Sequence, residues 1–247
     1  MRLLNSILVK IKKLIFFFVK YECIVCGCNL KVRNCICFEC NKKIEIIDQS
    51  CVCEICGRYC LVSRCIFCLQ NPPLFTYAKA FCNYNEISSN IIKQFKYYDN
   101  NLCKNFIIQK MTKLLKLHFV ISEIDIITCV PTSWLKEYFK GRNHASQIAS
   151  KIAKNVGIEF SFNILKRKFK WKRQALLNKQ ERAKNVIGVF SVINKEKIAD
   201  KNVLIIDDTI TTGSTINECT KTMLNAGARS VIVLTFAKSI ADESMLT

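Results

Sequence analysis

Apolar residues recur along this chain in two rhythms, continuous short runs and a helical period. Residues 124–130, Ile-Asp-Ile-Ile-Thr-Cys-Val, form a β-branched run closed by Pro131, which predicts a buried strand. Val203, Leu204, Ile205 and Ile206 make a second run and residues 230–235 a third. A helix predicted over 214–225 separates them, giving the strand–helix–strand order of a parallel sheet. Ile148, Ile152 and Val156 have helical spacing and predict a helix over 145–156, while the amphipathic stretches 87–97 and 102–117 predict two more. Residues 75–84 and 186–193 read as further strands. The pattern predicts an α/β domain with a mainly parallel sheet over residues 74–240. Just before it stand Asn71, Pro72 and Pro73, and two prolines disfavour both a helix and a paired strand there. At the start, the apolar run 14–19 follows Lys10, Lys12 and Lys13. It predicts an amphipathic helix over 1–20 that docks on the body of the protein; contact with a membrane surface, without spanning it, is the alternative.

Composition changes the picture at the cysteines. There are 16, and twelve fall between Cys23 and Cys68 in a repeated unit. The first unit is Cys23-x2-Cys26-Gly27 with Cys37-x2-Cys40; the second is Cys53-x2-Cys56-Gly57 with Cys65-x2-Cys68. A Cys-x2-Cys knuckle lets both thiolates reach one ion, and the following glycine supplies the turn. Two knuckles complete a tetrahedral set with no position left for water, so residues 21–70 are expected to form a double zinc ribbon with two structural zinc sites. Cys28, Cys35, Cys51 and Cys60 are left over, so a slipped choice of ligand stays open, as does iron–sulfur binding. No stretch has the length of a bilayer span, and clustered cysteines without a secretory signal point to a reducing, cytoplasmic location.

The most informative stretch runs from Lys201 to Thr215: a strand, the acids Asp207 and Asp208, then Thr209, Thr211, Thr212, Gly213, Ser214 and Thr215 opening a helix. Backbone amides at a helix N-terminus, joined by hydroxyls, cradle a phosphate, and a glycine permits close approach. The two carboxylates are expected to face the hydroxyls of a sugar, directly or through a metal-bound water. A ribose 5-phosphate suits this order. The chain has neither Gly-x4-Gly-Lys-Ser/Thr nor Gly-x-Gly-x2-Gly, which argues against a nucleotide-driven motor or a kinase.

Residues 203–215 resemble the phosphoribosyl pyrophosphate signature of type I phosphoribosyltransferases, and the double ribbon before them narrows the resemblance to the ComF family of competence-associated proteins. The likeness covers nearly the whole chain. It implies a pyrophosphate loop at Val130, Pro131 and Thr132, with Cys129 where the family's first proline is usual. Lys140, Gly141, Arg142, Asn143, His144 and Ala145 stand for a further family loop, and Gln174, Leu177, Glu181, Arg182, Asn185, Val186, Gly188 and Phe190 for a downstream pattern. By resemblance the chain would bind phosphoribosyl pyrophosphate with magnesium.

With 247 residues, 50% hydrophobic and 23% charged, disorder is excluded as the main state. A net charge of +19 fits a polyanionic partner, and half of it is assigned to coding bias. The densest cationic stretch is Lys166, Arg167, Lys168, Phe169, Lys170, Trp171, Lys172 and Arg173, six cations and two aromatics. That mixture suits single-stranded DNA, by charge and stacking, and equally suits steering a pyrophosphate-bearing ligand. His118 reads as a helix-end residue and His144 as a polar loop residue. Three functions follow: a cytoplasmic adaptor for incoming single-stranded DNA with a retained phosphoribosyl site, an active transferase whose acceptor and catalytic residues the sequence does not name, and a ribbon scaffold for a helicase or DNA-uptake partner.

Overall fold

The computed structural model describes residues 21–131, 143–168 and 187–239; the helix expected over 1–20 lies outside them. The cysteine-rich segment carries strands β1 (Tyr21–Glu22) and β2 (Asn29–Leu30) and short helices α1 (Phe38–Lys42) and α2 (Ile66–Gln70). Then come β3 (Ala78–Asn83), α3 (Glu86–Tyr98), α4 (Asn101–His118), β4 (Ile126–Cys129), α5 (His144–Val156), β5 (Glu159–Phe160), β6 (Leu165–Arg167), β7 (Phe190–Val192), β8 (Asn202–Ile210), α6 (Ser214–Leu224) and β9 (Ser230–Lys238).

Strands β3, β9, β8, β4 and β5 lie side by side in that order, and every adjacent pair is parallel. Alternation along β8 sends Leu204 and Ile206 to one face, where they join Phe95, Ile107 and Ile148 of α3, α4 and α5. Val203 and Ile205 face the other side with Ile216, Cys219 and Met223 of α6. Both faces are covered, which is why these strands read as unbroken apolar runs. Phe95 and Phe236 are fully buried, and each contributes roughly 2–3 kcal/mol over an exposed side chain.

Local chemistry fixes the helix ends. Asn85 and Ser88 form a reciprocal capping box at α3, the Asn100 side chain caps α4 and the Asn143 side chain caps α5. The Gly157 N–H closes α5 on the Ala153 carbonyl at 2.9 Å.

Two sequence expectations shift. The run read at 203–206 extends through both acids to Ile210, because β9 pairs with it as far as Ile210 opposite Lys238. The strand expected at 186–193 shortens to β7, which pairs antiparallel with β6 outside the main sheet. At the sheet's edge, the Ile47 N–H donates to the Phe81 carbonyl at 3.1 Å and the Asn83 N–H to the Glu45 carbonyl at 2.9 Å, so the cysteine-rich segment covers β3. Among the described residues no helix is long and apolar enough to cross a membrane.

Candidate phosphate site and metal clusters

From β4 the chain proceeds through α5 to β5 on one side of the sheet; from β8 it proceeds through α6 to β9 on the other. The direction of winding reverses between β4 and β8, and parallel sheets bind ligands in the crevice beyond their carboxyl ends at such a point. Val130 and Pro131 stand there at the end of β4, the Val130 N–H donating to the Ile206 carbonyl at 3.2 Å. Thr132 lies outside the described residues, as do residues 140–142 and 174–186 of the family pattern.

At the end of β8, Gly213 turns the chain in a left-handed conformation, φ +78°, and caps α6. Thr211 and Thr212 are exposed, and Thr209, Ser214 and Thr215 are half-buried. The hydroxyls of Thr212 and Ser214 share a hydrogen bond of 2.9 Å, and the Ser214 N–H donates to the Thr212 hydroxyl at 3.3 Å. The Asn217 N–H donates to the Gly213 carbonyl, and the Asn217 side-chain oxygen accepts the Leu74 N–H at 2.6 Å. The first turn of α6 therefore presents amides and hydroxyls together, the donor set a phosphate monoester needs.

The two acids flank the strand end from opposite faces. Pleating separates consecutive residues, so the two carboxyl groups leave the strand on opposite faces. Asp208 is buried and ion-paired with Lys96 of α3. Burial pushes the Lys96 ammonium down, but the Asp208 carboxylate overrides it and the net displacement is upward. On the α6 side, burial first and the Asp208 charge second raise Asp207 to about 8, against the opposing pull of Lys96. Its Oδ1 accepts the Asp208 N–H at 2.9 Å. Cys219, under Asp207, is pushed well up by burial and then by that carboxylate, while the Arg167 charge lowers it. Lys96 escaped the sequence reading because its partner is distant in sequence; its one trace is a cation on an amphipathic helix.

Arg167 sits in β6, 5.9 Å from the Phe190 ring centre, and the Lys168 N–H donates to the Val189 carbonyl at 2.6 Å. Lys166 and Lys168 are exposed, whereas Phe169, Lys170, Trp171, Lys172 and Arg173 lie outside the described residues. His144 packs edge-on against Phe95 at 5.1 Å, and His118 ends α4.

The cysteines converge as two tetrads, Cys23, Cys26, Cys37 and Cys40, and Cys53, Cys56, Cys65 and Cys68, with all sulfurs of a tetrad within 4.8 Å of one another. Cys26 and Cys37 are 3.8 Å apart, sulfur to sulfur, and Cys56 and Cys65 3.7 Å. A tetrahedral ion with Zn–S bonds of about 2.3 Å requires a sulfur–sulfur edge of roughly 3.8 Å, so both tetrads fit such an ion. Burial opposes ionisation of Cys23, but the amides of Cys26, Cys37 and Val25 outweigh it and bring the thiol to about 6. The same contest, with amides of Cys56, Cys65 and Ile55, brings Cys53 to about 7. Thiolates are the ligand form. Cys35 is instead buried against Cys103, and the Cys60 thiol donates to the Val62 carbonyl at 2.9 Å.

A five-stranded parallel sheet with a glycine-capped hydroxyl loop at its switch point, preceded by two four-cysteine clusters that fit a double zinc ribbon, defines a type I phosphoribosyltransferase fold with a cysteine-rich N-terminal module. The family described as Phosphoribosyl transferase domain matches residues 142–246. Competence protein F of Haemophilus influenzae is 28% identical over 236 residues, 90% of this chain and 99% of that protein. Competence protein ComFC of Streptococcus pneumoniae is 23% identical over 231 residues, 85% of this chain and 96% of that one. DNA utilization protein YhgH of Escherichia coli K12 is 23% identical over 214 residues, 83% and 91% respectively. Along most of its length the chain is similar to these competence and DNA utilization proteins.

Proposed function

We propose that this chain is a cytoplasmic protein that binds phosphoribosyl pyrophosphate, or a related ribose 5-phosphate, with magnesium, carries one structural zinc in each cysteine tetrad, and handles single-stranded DNA during uptake. One observation carries the ligand reading: the loop at the start of α6 opens at the sheet's switch point beside two acids near the end of β8, Asp207 and Asp208. The 5′-phosphate would lie on Thr211, Thr212, Gly213, Ser214 and Thr215. The ribose would cross the strand end, its hydroxyls donating to Asp207 and Asp208 with Thr209 alongside, and the pyrophosphate would reach Val130, Pro131 and Thr132. Magnesium would supply charge neutralisation at the pyrophosphate. Zinc is favoured by the tetrahedral sulfur spacing.

The DNA reading is supported by relatives named for competence and DNA utilization and by the basic–aromatic stretch from Lys166 to Arg173. A second reading, active phosphoribosyl transfer, is favoured by the family match over residues 142–246. In it a nucleophile displaces pyrophosphate at the anomeric carbon, and the chain contributes positioning and electrostatics.

Calorimetry with magnesium phosphoribosyl pyrophosphate tests the ligand reading. Wild type should bind, and Asp207→Asn combined with Asp208→Asn should weaken binding at least tenfold. Absence of heat in wild type refutes the ligand, and equal affinity in the double variant refutes the role of the acids.

A further inference from the structure

The loop Thr211–Ser214 lines a pocket of about 310 Å³ together with Cys56, Arg58, Phe67 and Cys68 of the second cysteine unit. Among the described residues two cations line it, Arg58 and Lys238, and no carboxylate does. Arg58 follows Gly57 directly in the Cys53-x2-Cys56-Gly57 unit. Its guanidinium stacks 3.9 Å from the centre of the Phe67 ring, and its Nε is buried without a hydrogen-bond partner among the described residues. A buried guanidinium N–H left unmatched is costly unless an anion meets it. Lys238, at the end of β9, is 8% exposed and donates to the Cys56 carbonyl. An ammonium has three donors, so two remain for a ligand.

The knuckle is held firmly where Arg58 needs it. The Ala78 N–H donates to the Ile55 carbonyl at 2.7 Å, and the Gly57 backbone lies so close to β3 that an added Cβ would stand 2.8 Å from the Ala78 carbonyl oxygen. The module thus holds its arginine on the same pocket that the loop before α6 lines.

We infer that the second cysteine knuckle is part of the ligand site: Arg58, with Lys238, closes over the phosphate loop and grips a phosphate monoester together with Thr212 and Ser214. This rests on the phosphate reading of that loop and adds a residue that determines affinity. A guanidinium held by stacking on a ring, in a pocket that hydroxyls also line, is suited to two-point hydrogen bonding of phosphate oxygens.

Ribose 5-phosphate without magnesium is the probe, titrated calorimetrically into full-length wild type, Arg58→Gln and Arg58→Lys, with zinc content and melting temperature measured for each. The expected result is a loss of roughly ten- to hundredfold in Arg58→Gln, and a smaller loss in Arg58→Lys, which keeps the charge without the fork. No binding by wild type overturns the phosphate reading itself. Binding by wild type with equal affinity in Arg58→Gln overturns the assignment of Arg58 alone. Should Arg58→Gln shed zinc or fail to fold, Arg58→Lys decides, and affinity in it equal to wild type overturns the inference.

Discussion

Two glycines in equivalent turns give an internal control on how the cysteine module is attached. Gly27 and Gly57 each follow a Cys-x2-Cys knuckle, with φ of +72° and +67°, and each donates its N–H to the first cysteine's carbonyl, at 2.8 and 2.9 Å. An alanine at either position pays for the left-handed backbone, about 1 kcal/mol. Around Gly27 an added Cβ meets nothing within 4 Å, whereas at Gly57 it would stand 2.8 Å from the Ala78 carbonyl oxygen. That oxygen belongs to β3, whose Ala78 is registered against Val233 of β9, so it cannot retreat freely. Overpacking of this kind costs a further 1–3 kcal/mol or so. At roughly 2–4 °C per kcal/mol for a chain of this size, Gly27→Ala should lower the melting temperature of zinc-loaded protein by about 2–4 °C. Gly57→Ala should lower it by about 5–15 °C. Scanning calorimetry of both variants, with zinc content determined alongside, reads the difference; equal losses would falsify the tight docking of the second knuckle on the sheet.

Three further expectations concern charge and metal. The folded pKa of Asp207, about 8, lies above its ordinary 3.8, so the folded chain keeps a proton that the unfolded chain releases. Its contribution to stability is therefore complete below about pH 4 and lost as pH climbs through about 8. Urea midpoints from pH 4 to 9 should fall more steeply in wild type than in Asp207→Asn, and parallel curves would remove Asp207 as the cause. Purified protein should hold close to two equivalents of zinc by elemental analysis, and Cys26→Ser close to one; iron in place of zinc would refute the ribbon chemistry. If the stretch from Lys166 to Arg173 tracks single-stranded DNA, neutralising Lys168, Lys170 and Lys172 should flatten the slope of log affinity against log salt by about 2. Trp171→Ala should weaken binding by about 1–3 kcal/mol with the slope intact, and fluorescence titrations unchanged in both variants would exclude the segment.

The sequence disclosed what depends on short-range pattern. The runs at 126–129 and 203–206 are apolar because both sheet faces are covered, and the helix between β8 and β9 is marked by hydroxyls and Gly213 at its start. The cysteine tetrads are legible because each ligand pair is local. What stayed hidden is set by partners distant in the chain. β8 continues through Asp207 and Asp208, a charged pair that periodicity alone would end, because Lys96 neutralises Asp208 and β9 pairs alongside. β5 and β6 are short strands defined only by what they pair with. Arg58 reads as spacer between two ligand pairs, and only the packing of the knuckle on β3 brings it to the pocket that Thr211–Ser214 line.

The registration of β3 against β9 sets the order in which this molecule can assemble. Ala78 pairs with Val233 and Asn83 with Lys238, so the strand nearest the cysteine module finds its neighbour only when β9 exists. Contacts so far apart in sequence form late and slowly. A nascent chain can gather each cysteine tetrad around an ion early, since every ligand set is closed within a few turns of chain, long before the sheet has its central pair. Until residues 230–238 leave the ribosome, β8 also lacks one of its two neighbours and one of its hydrogen-bonding edges stays unpaired. A truncation that removes β9 would thus strand two other strands at once, leaving the cysteine-rich N-terminal module attached to an aggregation-prone remainder.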